Sequence, residues 1–259
     1  MKNTKPKIAL LSVCLNQPYW PYAKKLYEDV DKHLLKGHQI DKFLWTDMPP
    51  MEGINVIPTP PITWPLPTLM RYNLYLQEEE RLKEYDYIYH IDVDMEFRED
   101  VGEEILTKKG LMAAIHPMFT KKKGFEYAPF ELNKESTAYV DDPDPKAYYA
   151  GGFQGGKAKP FIKAMKKMKE NIDKDFNNNY IARWNDESHW NKYLQENPPE
   201  IVLSPSYVYP DSLIPDYYEK IWPENHGYIP KIITITKPFT ISKEGGTAVR
   251  EHLERLSRL

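Results

Sequence analysis

The sequence predicts a single α/β domain with a mixed central sheet. Three observations lead to this fold class. The first 46 residues alternate strand, helix and strand, which predicts parallel pairing through a right-handed crossover. A later apolar strand, Tyr87–Val93, runs into two aspartates. The length of 259 residues, with 41% hydrophobic and 28% charged residues, suits a globular chain with a large core.

The first predicted strand is the apolar run Lys7–Cys14. The next apolar residues recur four positions apart, at Tyr22, Leu26, Val30 and Leu34. This spacing predicts an amphipathic helix, and Gly37 is expected to cap its C-terminal end. The second strand contains Phe43, Leu44 and Trp45. The alternation of these elements is typical of nucleotide-binding α/β domains.

The central segment combines loops, one helix and two further strands. Residues 49–67 are rich in proline and predict a loop. A helix is expected at Thr68–Tyr85, followed by the strands Tyr87–Val93 and Leu111–Ile115. Residues 116–147 predict irregular structure.

The C-terminal part begins with four closely spaced glycines: Gly151, Gly152, Gly155 and Gly156. They predict a tight turn with close approach of the backbone to a neighbour. Helices are expected at Pro160–Asn171 and Glu187–Gln195, and a late strand at Ile232–Ile235. The residues from 236 onward form a basic tail.

Composition and charge exclude several classes of protein. A net charge of −3 offers no basic field for a nucleic acid. The single cysteine, Cys14, excludes an internal disulfide and a zinc–thiolate cluster, and it fits a reducing compartment. The apolar run Ile8–Leu15 is short for a signal peptide, and no apolar run approaches a membrane span. We therefore expect a soluble or cytoplasmic protein without signal peptide or membrane anchor.

The first candidate site is the segment Tyr87–Phe97, in which an apolar strand ends in Asp92 and Asp94. Ligands of open α/β sheets bind beyond the carboxyl ends of the strands. Two carboxylates there can hold a hard divalent ion, and such an ion can bridge a diphosphate. Taken alone, the D-x-D pattern is more typical of a polar turn, but the buried strand before it and Met95-Glu96-Phe97 after it make the pattern much more specific.

The second candidate site is the segment Trp184–Leu194, which predicts a helix with Trp190 and Leu194 on one face. Asp186 and Glu187 are expected in its first turn, where the helix dipole favours ionised carboxylates. An ionised glutamate at a sugar site can act as a nucleophile or stabilise an oxocarbenium-like centre. Ordinary first-turn acids remain the alternative interpretation.

These segments and three others resemble glycosyltransferase family 6, which includes the ABO blood-group transferases, the α1,3-galactosyltransferases and Forssman synthase. The matching pieces read Asp92-Val-Asp-Met-Glu-Phe97, His116-Pro117, Tyr148-Tyr-Ala-Gly-Gly-Phe153, Trp184-Asn-Asp-Glu-Ser-His189 and Leu203-Ser-Pro205. Their order and spacing extend the resemblance over residues 7–211, with a weaker tail.

The resemblance implies a GT-A fold and retaining transfer from UDP-galactose or UDP-N-acetylgalactosamine. It places Mn²⁺, with Mg²⁺ as the alternative, on Asp92 and Asp94, and it makes Glu187 the catalytic carboxylate. It implies that 1–259 is one catalytic domain. Within it, residues 7–115 would bind UDP, residues 116–235 would hold the acceptor and catalytic groups, and residues 236–259 would form the tail.

The resemblance also assigns binding residues. Those for the donor are Val13, Cys14, Leu15, Tyr19, Arg71, Asp92, Val93, Asp94, Ala150, Gly151, Gly152, Asp186, Lys243 and Arg250. Those for the acceptor are His116, Glu126, Trp184 and Glu187. Among the donor residues, those at 150–152 would face the C2 substituent of the sugar.

Each assignment has a structural alternative. His116 could be a loop histidine, Trp184 a core residue and Arg71 part of a surface ion pair. The apolar strand at residues 13–15 would be buried in any case, the paired glycines could serve only a turn, and Lys243 and Arg250 could lie in a solvated tail.

The sequence departs from the family pattern at several positions. Bacterial members often carry N-x-N and work without metal, whereas this chain keeps D-x-D. Glu126 stands where an acceptor-binding threonine is expected, and Met118 stands where a small residue follows His-Pro. Lys243 and Arg250 are spaced one residue differently from the family. The acceptor is therefore left open.

The sequence favours a Mn²⁺-dependent retaining transferase that moves N-acetylgalactosamine from its UDP donor onto a galactoside-type glycan in an α1,3-type linkage. One alternative is a UDP-galactose-dependent enzyme. A second is a catalytically idle sugar-nucleotide-binding protein, and a third is a metal-dependent phosphohydrolase.

Overall fold

A seven-stranded mixed sheet forms the centre of the fold. The computed structural model of the protein describes residues 5–117, 119, 130–142, 145, 147–211 and 228–237. Within these residues the strands are β1 (Ile8–Cys14), β2 (Ile40–Thr46), β3 (Asn55–Pro58), β4 (Tyr87–Ile91), β5 (Met95–Phe97), β6 (Leu111–Ile115), β7 (Tyr149–Lys157), β8 (Ile201–Leu203), β9 (Tyr209–Pro210) and β10 (Ile232–Thr234). The helices are α1 (Trp20–His33), α2 (Leu66–Leu69), α3 (Arg71–Gln77), α4 (Glu79–Leu82), α5 (Ala158–Asn177) and α6 (Asn185–Glu196).

The large sheet has the strand order β3-β2-β1-β4-β7-β6-β8. β1 pairs in parallel with β2 and β4, and β6 pairs in parallel with β8. β7 runs antiparallel to both of its neighbours, β4 and β6. The amino end of β7 therefore lies beside the carboxyl end of β4, with Ile91 opposite Phe153.

A second, three-stranded sheet has the order β5-β10-β9. β10 is antiparallel to β5, with Ile233 opposite Glu96, and parallel to β9. β5 follows the D-x-D segment directly. The antiparallel pairing of β10 with β5 therefore places the residues after β10 beside the D-x-D segment. The Ile235 N–H donates to the Asp94 carbonyl at 2.8 Å.

Helices cover both faces of the large sheet. In β1, Ala9 and Leu11 belong to one buried cluster and Ile8 and Leu10 to the other, as the two-residue period of a strand requires. Residues of α3, α5 and α6 lie in the first cluster, and residues of α1 lie in the second. Burial on both faces explains why β1 and β4 are continuous apolar runs.

The predicted α/β fold class with a mixed sheet is confirmed. The predicted strands at residues 7–14, 43–45, 87–93 and 111–115 correspond to β1, β2, β4 and β6, although β4 ends at Ile91. The predicted late strand corresponds to β10 within one residue. Among the helices that the structure describes, none combines the length and apolar character that crossing a bilayer requires.

The tight turn predicted from the glycines is wrong, because all four lie inside β7. The close backbone approach is real. A Cβ on Gly155 would lie 2.4 Å from the Ile88 carbonyl oxygen, and one on Gly156 would lie 2.5 Å from the Gly110 carbonyl oxygen. Both have positive φ, 154° and 136°, so glycine permits a distorted strand between two tightly spaced partners.

Other boundaries also differ from the prediction. The helix expected at Thr68–Tyr85 is three short helices, because ψ reaches −2° at Met70 and 19° at Glu78. The loop at 49–67 includes β3. α1 ends at His33, and the residue that turns left-handed directly after its cap is Leu35 rather than the predicted Gly37. α5 runs from Ala158 to Asn177, past the end expected at Asn171, and α6 begins at Asn185, ahead of the expected Glu187.

Candidate active site

The ends of two strands and the starts of two helices meet at one edge of the large sheet. Asp92 follows β4, and its N–H donates to the Gly152 carbonyl of β7 at 2.9 Å. α3 begins at Arg71 and α6 begins at Asn185. This is the edge beyond the carboxyl ends of the parallel strands, where open α/β sheets bind ligands.

Arg71 is the buried cation of this edge, with only 4% of its surface exposed. Its Nη1 lies 3.1 Å from Asp92 Oδ1, and its Nε lies 3.2 Å from Asp186 Oδ2. Burial opposes the charge, but these two carboxylates raise the pKa of Arg71 and keep it ionised. The alternative of a surface ion pair is therefore wrong. Arg71 connects the D-x-D segment to the first turn of α6.

His90 contacts both members of the ion pair between Arg71 and Asp92. Its Nε2 contacts Arg71 Nη1 and lies 3.2 Å from Asp92 Oδ1, and its Nδ1 lies 2.7 Å from the Tyr75 hydroxyl. Burial, with help from Arg71, lowers the pKa of His90 to about 4. The ring is therefore neutral at pH 7 and orients its partners without adding charge. His90 was not among the predicted site residues, although a histidine inside an apolar strand is a visible signal in the sequence.

The two aspartates of the D-x-D segment differ in their surroundings. Burial opposes ionisation of Asp92, yet Arg71 and His90 hold the pKa of Asp92 well below its usual range. Burial and the neighbouring Asp92 raise the pKa of Asp94, and Lys237 opposes that rise. The Lys237 ammonium is ion-paired with Asp94 Oδ2.

The D-x-D segment suits a hard divalent ion that brings other ligands with it. Asp92 Oδ1 contacts Arg71 and His90. The other oxygen, Oδ2, lies next to Gly152, and a Cβ added to that glycine would be only 3.1 Å from this oxygen. Over the described part of the chain, no cluster of three or more His, Cys, Asp or Glu side chains could hold a metal. Two carboxylates completed by phosphate oxygens and water are a usual set for such an ion. The residues present therefore fit the ion.

Glu187 lies in the first turn of α6 and accepts two hydrogen bonds. The Tyr148 hydroxyl donates to Oε1 at 2.8 Å, and the Gly151 N–H donates to Oε2 at 2.7 Å. Burial raises the pKa of Glu187 to about 7, and the two hydrogen bonds limit the rise. The carboxylate is thus fixed in position and titrates near neutral pH.

Two buried amides fix the frame around Glu187. Asn191 accepts from the Tyr149 N–H and donates to the Tyr149 carbonyl, both at 2.8 Å, and it donates to the Glu187 carbonyl at 2.9 Å. Gln154 donates to the Gly151 carbonyl at 2.9 Å and accepts from the Tyr72 hydroxyl at 2.9 Å. The Asn191 contacts hold α6 to β7, and the contact of Gln154 with Tyr72 holds β7 to α3. Neither residue was among the predicted site residues, because the partners that join them to other elements, Tyr149 and Tyr72, are 42 and 82 residues away in the sequence.

Asp186 has a buried oxygen that the described residues leave without a hydrogen bond. Its Oδ2 lies near Arg71 Nε, but that N–H donates to the Thr68 carbonyl at 3.2 Å. Burial raises the pKa of Asp186 to about 6, and Arg71 opposes the rise. A buried acceptor without a partner is costly, so a hydroxyl donated by a ligand would stabilise this group.

Aromatic rings line the side of the site beyond Glu187. The rings of His116 and Phe119 are 4.8 Å apart, and Phe119 meets Tyr148 edge-on at 5.3 Å. Burial lowers the pKa of His116 to about 4, so its ring is neutral at pH 7. Trp184 directly precedes α6 and is 47% exposed, so its interpretation as a core residue is wrong. An exposed indole face is suited to stacking on a sugar ring.

The predicted donor residues at 13–15, 19 and 93 lie around the ends of β1 and β4. Cys14 and Leu15 are buried, Val13 is partly buried, and Val93 is buried between the two aspartates. Burial raises the pKa of Cys14 to about 12, so the thiol is unreactive. The Tyr19 ring lies 5.6 Å from the Lys237 ammonium. Tyr19 is thus close to the D-x-D segment.

Some predicted residues have structural roles, and others lie outside the described part. Ala150 is buried in the cluster beneath the site. A Cβ on Gly151 would lie 3.2 Å from the Glu187 Cβ, so this glycine makes room for the carboxylate as well as donating to it. Four predicted positions lie outside the described residues: Met118, Glu126, Lys243 and Arg250.

A separate cavity of about 1200 Å³ lies at the opposite edge of the sheet. Its lining includes Asp86, directly before β4, and Lys157, the last residue of β7. Since these residues mark the far ends of both strands, the cavity is not part of the site at Asp92.

Comparisons with known proteins agree with this geometry. The model of "Glycosyltransferase family 6" matches residues 68–220, which include Arg71, Asp92, Asp94 and Glu187. The chain is 30% identical to "Histo-blood group ABO system transferase 1" of Rattus norvegicus over 241 residues, covering 83% of this chain and 66% of that protein.

Two other relatives extend the comparison. The chain is 29% identical to "Globoside alpha-1,3-N-acetylgalactosaminyltransferase 1" of Homo sapiens over 74% of this chain and 58% of that protein. It is 28% identical to "O-antigen biosynthesis glycosyltransferase WbnI" of Escherichia coli over 61% of this chain and 67% of that protein. The chain thus spans about two thirds or less of the length of these relatives.

Proposed function

Since the chain belongs to glycosyltransferase family 6, we propose that it transfers a sugar from a UDP donor to a glycan with retention of the anomeric configuration. The observation that supports this proposal most strongly is the position of Glu187. A carboxylate with two fixed hydrogen bonds lies beside a diphosphate-type D-x-D segment. Retaining transfer needs such a carboxylate next to the reacting carbon, as a nucleophile or as an electrostatic stabiliser.

The donor diphosphate would bind at the D-x-D segment. Asp92 and Asp94 would hold Mn²⁺, and the ion would supply positive charge that stabilises the departing UDP. Arg71 keeps Asp92 ionised through their ion pair at 3.1 Å and so keeps a negative ligand ready for the ion. The ring of Tyr19 and the strand end at residues 13–15 would contact the uridine.

The donor sugar would lie between Asp92 and Glu187. The Oδ2 of Asp186, which has no hydrogen bond among the described residues, would accept one from a sugar hydroxyl, and the ion pair of this same oxygen with Arg71 would hold the carboxylate in place. This contact orients the anomeric carbon toward Glu187. Because Asp186 and Glu187 are consecutive in α6, any shift of that helix moves both groups together.

Glu187 would act in its ionised form. The Tyr148 O–H and the Gly151 N–H both donate to the carboxylate and favour its charge, against burial. Asn191 holds the backbone of Glu187 at a fixed distance from β7. The chain therefore fixes the carboxylate before the sugar arrives, which is the condition for electrostatic stabilisation of a developing positive charge.

The acceptor would approach across the exposed face of Trp184. The indole offers a stacking surface for a sugar ring, and His116 offers a neutral imidazole near Tyr148. We propose a galactoside-type acceptor and an α1,3-type linkage, and the name of the human globoside alpha-1,3-N-acetylgalactosaminyltransferase supports the linkage. Glu126 would contribute to acceptor choice.

For the donor sugar we propose N-acetylgalactosamine, with galactose as the alternative. The human relative is named as a transferase of N-acetylgalactosamine. In this chain Ala150 is small and Gly151 and Gly152 have no side chains, which would leave room for the C2 substituent of the sugar. The same glycines also make room for side chains of the protein, Gly151 for Glu187 and Gly152 for Asp92. They would therefore serve both the packing of the site and the binding of the donor.

A direct experiment compares the wild type with Glu187→Gln. We expect the wild type to release UDP from UDP-N-acetylgalactosamine when a β-galactoside and Mn²⁺ are present. Loss of the charge should lower kcat by about 10²–10⁴-fold with UDP affinity retained. Glu196→Gln is the matched control, since Glu196 ends the same helix and is an exposed partner of Lys192. An unchanged kcat in Glu187→Gln would refute the role of this carboxylate, and UDP binding without any transfer would favour the idle binding protein.

A further inference from the structure

Lys237 lies on the D-x-D segment although it is 143 residues away from Asp94 in the sequence. Strand β10 pairs with β5, and the Ile235 N–H donates to the Asp94 carbonyl at 2.8 Å. The Thr236 N–H donates to both carboxylate oxygens of Asp211 at 3.0 Å. The two residues before Lys237 are therefore fixed by the fold, and they direct its side chain toward the aspartates.

The Lys237 ammonium balances charge that the fold concentrates at this point. It pairs with Asp94 Oδ2, it attracts Asp92, and it lies 5.6 Å from the centre of the Tyr19 ring. Asp94 is only 7% exposed, so a second carboxylate beside Asp92 would be costly without a nearby cation. A surface lysine would not have this role. Lys237 is instead part of a half-buried group of opposite charges, with 30% of its side chain exposed.

We propose that Lys237 is an internal counter-cation of the D-x-D segment that a divalent ion must displace from Asp94. This inference depends on the proposed metal-binding role of Asp92 and Asp94. A divalent ion held by the Asp94 carboxylate would share that carboxylate with the ammonium, and like charges at such close range repel each other strongly. Mn²⁺ and the Lys237–Asp94 pair therefore compete for the same carboxylate.

The consequence is a protein that binds Mn²⁺ weakly until the lysine moves. Removing the positive charge while keeping the length of the side chain should tighten Mn²⁺ binding. Lys237→Met does this, since it retains an unbranched apolar stem over the Tyr19 ring. Lys237→Arg keeps the charge and should keep the competition. If the lysine served only to hold β10 in place, these changes would affect stability but not the affinity for the ion.

Lys231 provides a matched control on the same segment. Its ammonium pairs with Glu104 Oε1 at 2.7 Å and lies 5.4 Å from the Tyr207 ring, which reproduces the carboxylate and tyrosine surroundings of Lys237. It precedes β10 rather than following it, and it has no contact with the D-x-D segment among the described residues. Lys231→Met therefore removes a similar ion pair without touching the proposed metal ligands.

The experiment titrates each purified protein with Mn²⁺ alone and measures free Mn²⁺ by electron paramagnetic resonance. We expect Lys237→Met to bind Mn²⁺ roughly 3- to 30-fold more tightly than the wild type, as removal of a partly buried competing charge implies. Lys231→Met and Lys237→Arg should bind like the wild type. Circular dichroism melting confirms that each variant is folded.

Two results would overturn the inference, and they differ from each other. Equal or weaker Mn²⁺ binding by Lys237→Met, with Asp94→Asn still losing the ion, would refute the competition and leave the metal site in place. No measurable Mn²⁺ binding by any variant would refute the metal site itself and the competition with it. Transfer activity in excess chelator, measured on the same samples, would then show whether the proposed reaction proceeds without an ion.

Discussion

The hydrogen bond from the Tyr148 hydroxyl to Glu187 allows a quantitative prediction of how the transfer rate depends on pH. Glu187 titrates at about 7 because burial raises its pKa, while the Tyr148 hydroxyl and the Gly151 N–H oppose the rise. A hydrogen bond to a charged group contributes about 1.5–3 kcal/mol, and one pKa unit corresponds to about 1.4 kcal/mol. Tyr148→Phe removes one such bond to the ionised form. The pKa of Glu187 should therefore rise by about one to two units, to roughly 8–9.

Because Glu187 would act in its ionised form, we expect kcat to increase with the fraction of Glu187 that is ionised. The wild-type kcat should be low under acidic conditions, rise through a midpoint near pH 7 and level off above it. In Tyr148→Phe the same rise should occur at higher pH, while the limiting rate at alkaline pH should stay within about tenfold of the wild type.

The assay is UDP release at saturating donor and acceptor across a pH series. Tyr149→Phe is the matched control. It removes a hydroxyl from the next residue, whose side chain packs in a different cluster from that of Tyr148. An unshifted midpoint in Tyr148→Phe, or a shift toward lower pH, would refute the reasoning that this hydrogen bond favours the charged carboxylate of Glu187.

Two further predictions concern the D-x-D segment and its glycine neighbour. Asp92→Asn and Asp94→Asn should each lower Mn²⁺-dependent transfer by roughly 10²-fold or more, because the ion loses a negative ligand; full wild-type activity in excess chelator would contradict this. Gly152→Ala places a Cβ 3.1 Å from Asp92 Oδ2 and 3.4 Å from the Met95 methyl group, so the carboxylate must move. Overpacking of this kind costs about 1–3 kcal/mol, which would correspond to roughly 5- to 150-fold in kcat/KM if it falls on the transition state. Both UDP-N-acetylgalactosamine and UDP-galactose should lose activity, and loss with the first donor alone would assign Gly152 to the sugar pocket instead.

Much of the fold was predictable because it depends on local pattern. The strands β1 and β4 are apolar runs long enough to be buried on both faces, and the spacing of Leu26 and Val30 identifies α1. Given parallel strands, the position of Asp92 at the end of β4 places it at the ligand-binding edge. These inferences need only neighbouring residues and the period of each element.

The parts that the sequence analysis missed depend on contacts between distant segments. Glycine is a poor strand former, so the glycines of β7 predict a turn, and only the crowding of β4 and β6 makes them necessary. Asn191 is an ordinary polar residue until its partner on β7 is known. Lys237 reaches Asp94 only because β10 pairs with β5.

The central claim is retaining transfer from a UDP-sugar at the site containing Glu187. The most direct test is to incubate the protein with UDP-N-acetylgalactosamine, a β-galactoside and Mn²⁺, and to determine the anomeric configuration of the product by proton nuclear magnetic resonance. We predict an α-linked product, the same configuration as in the donor, and its loss in Glu187→Gln. A β-linked product, or an α-linked product formed equally fast by Glu187→Gln, would contradict the account.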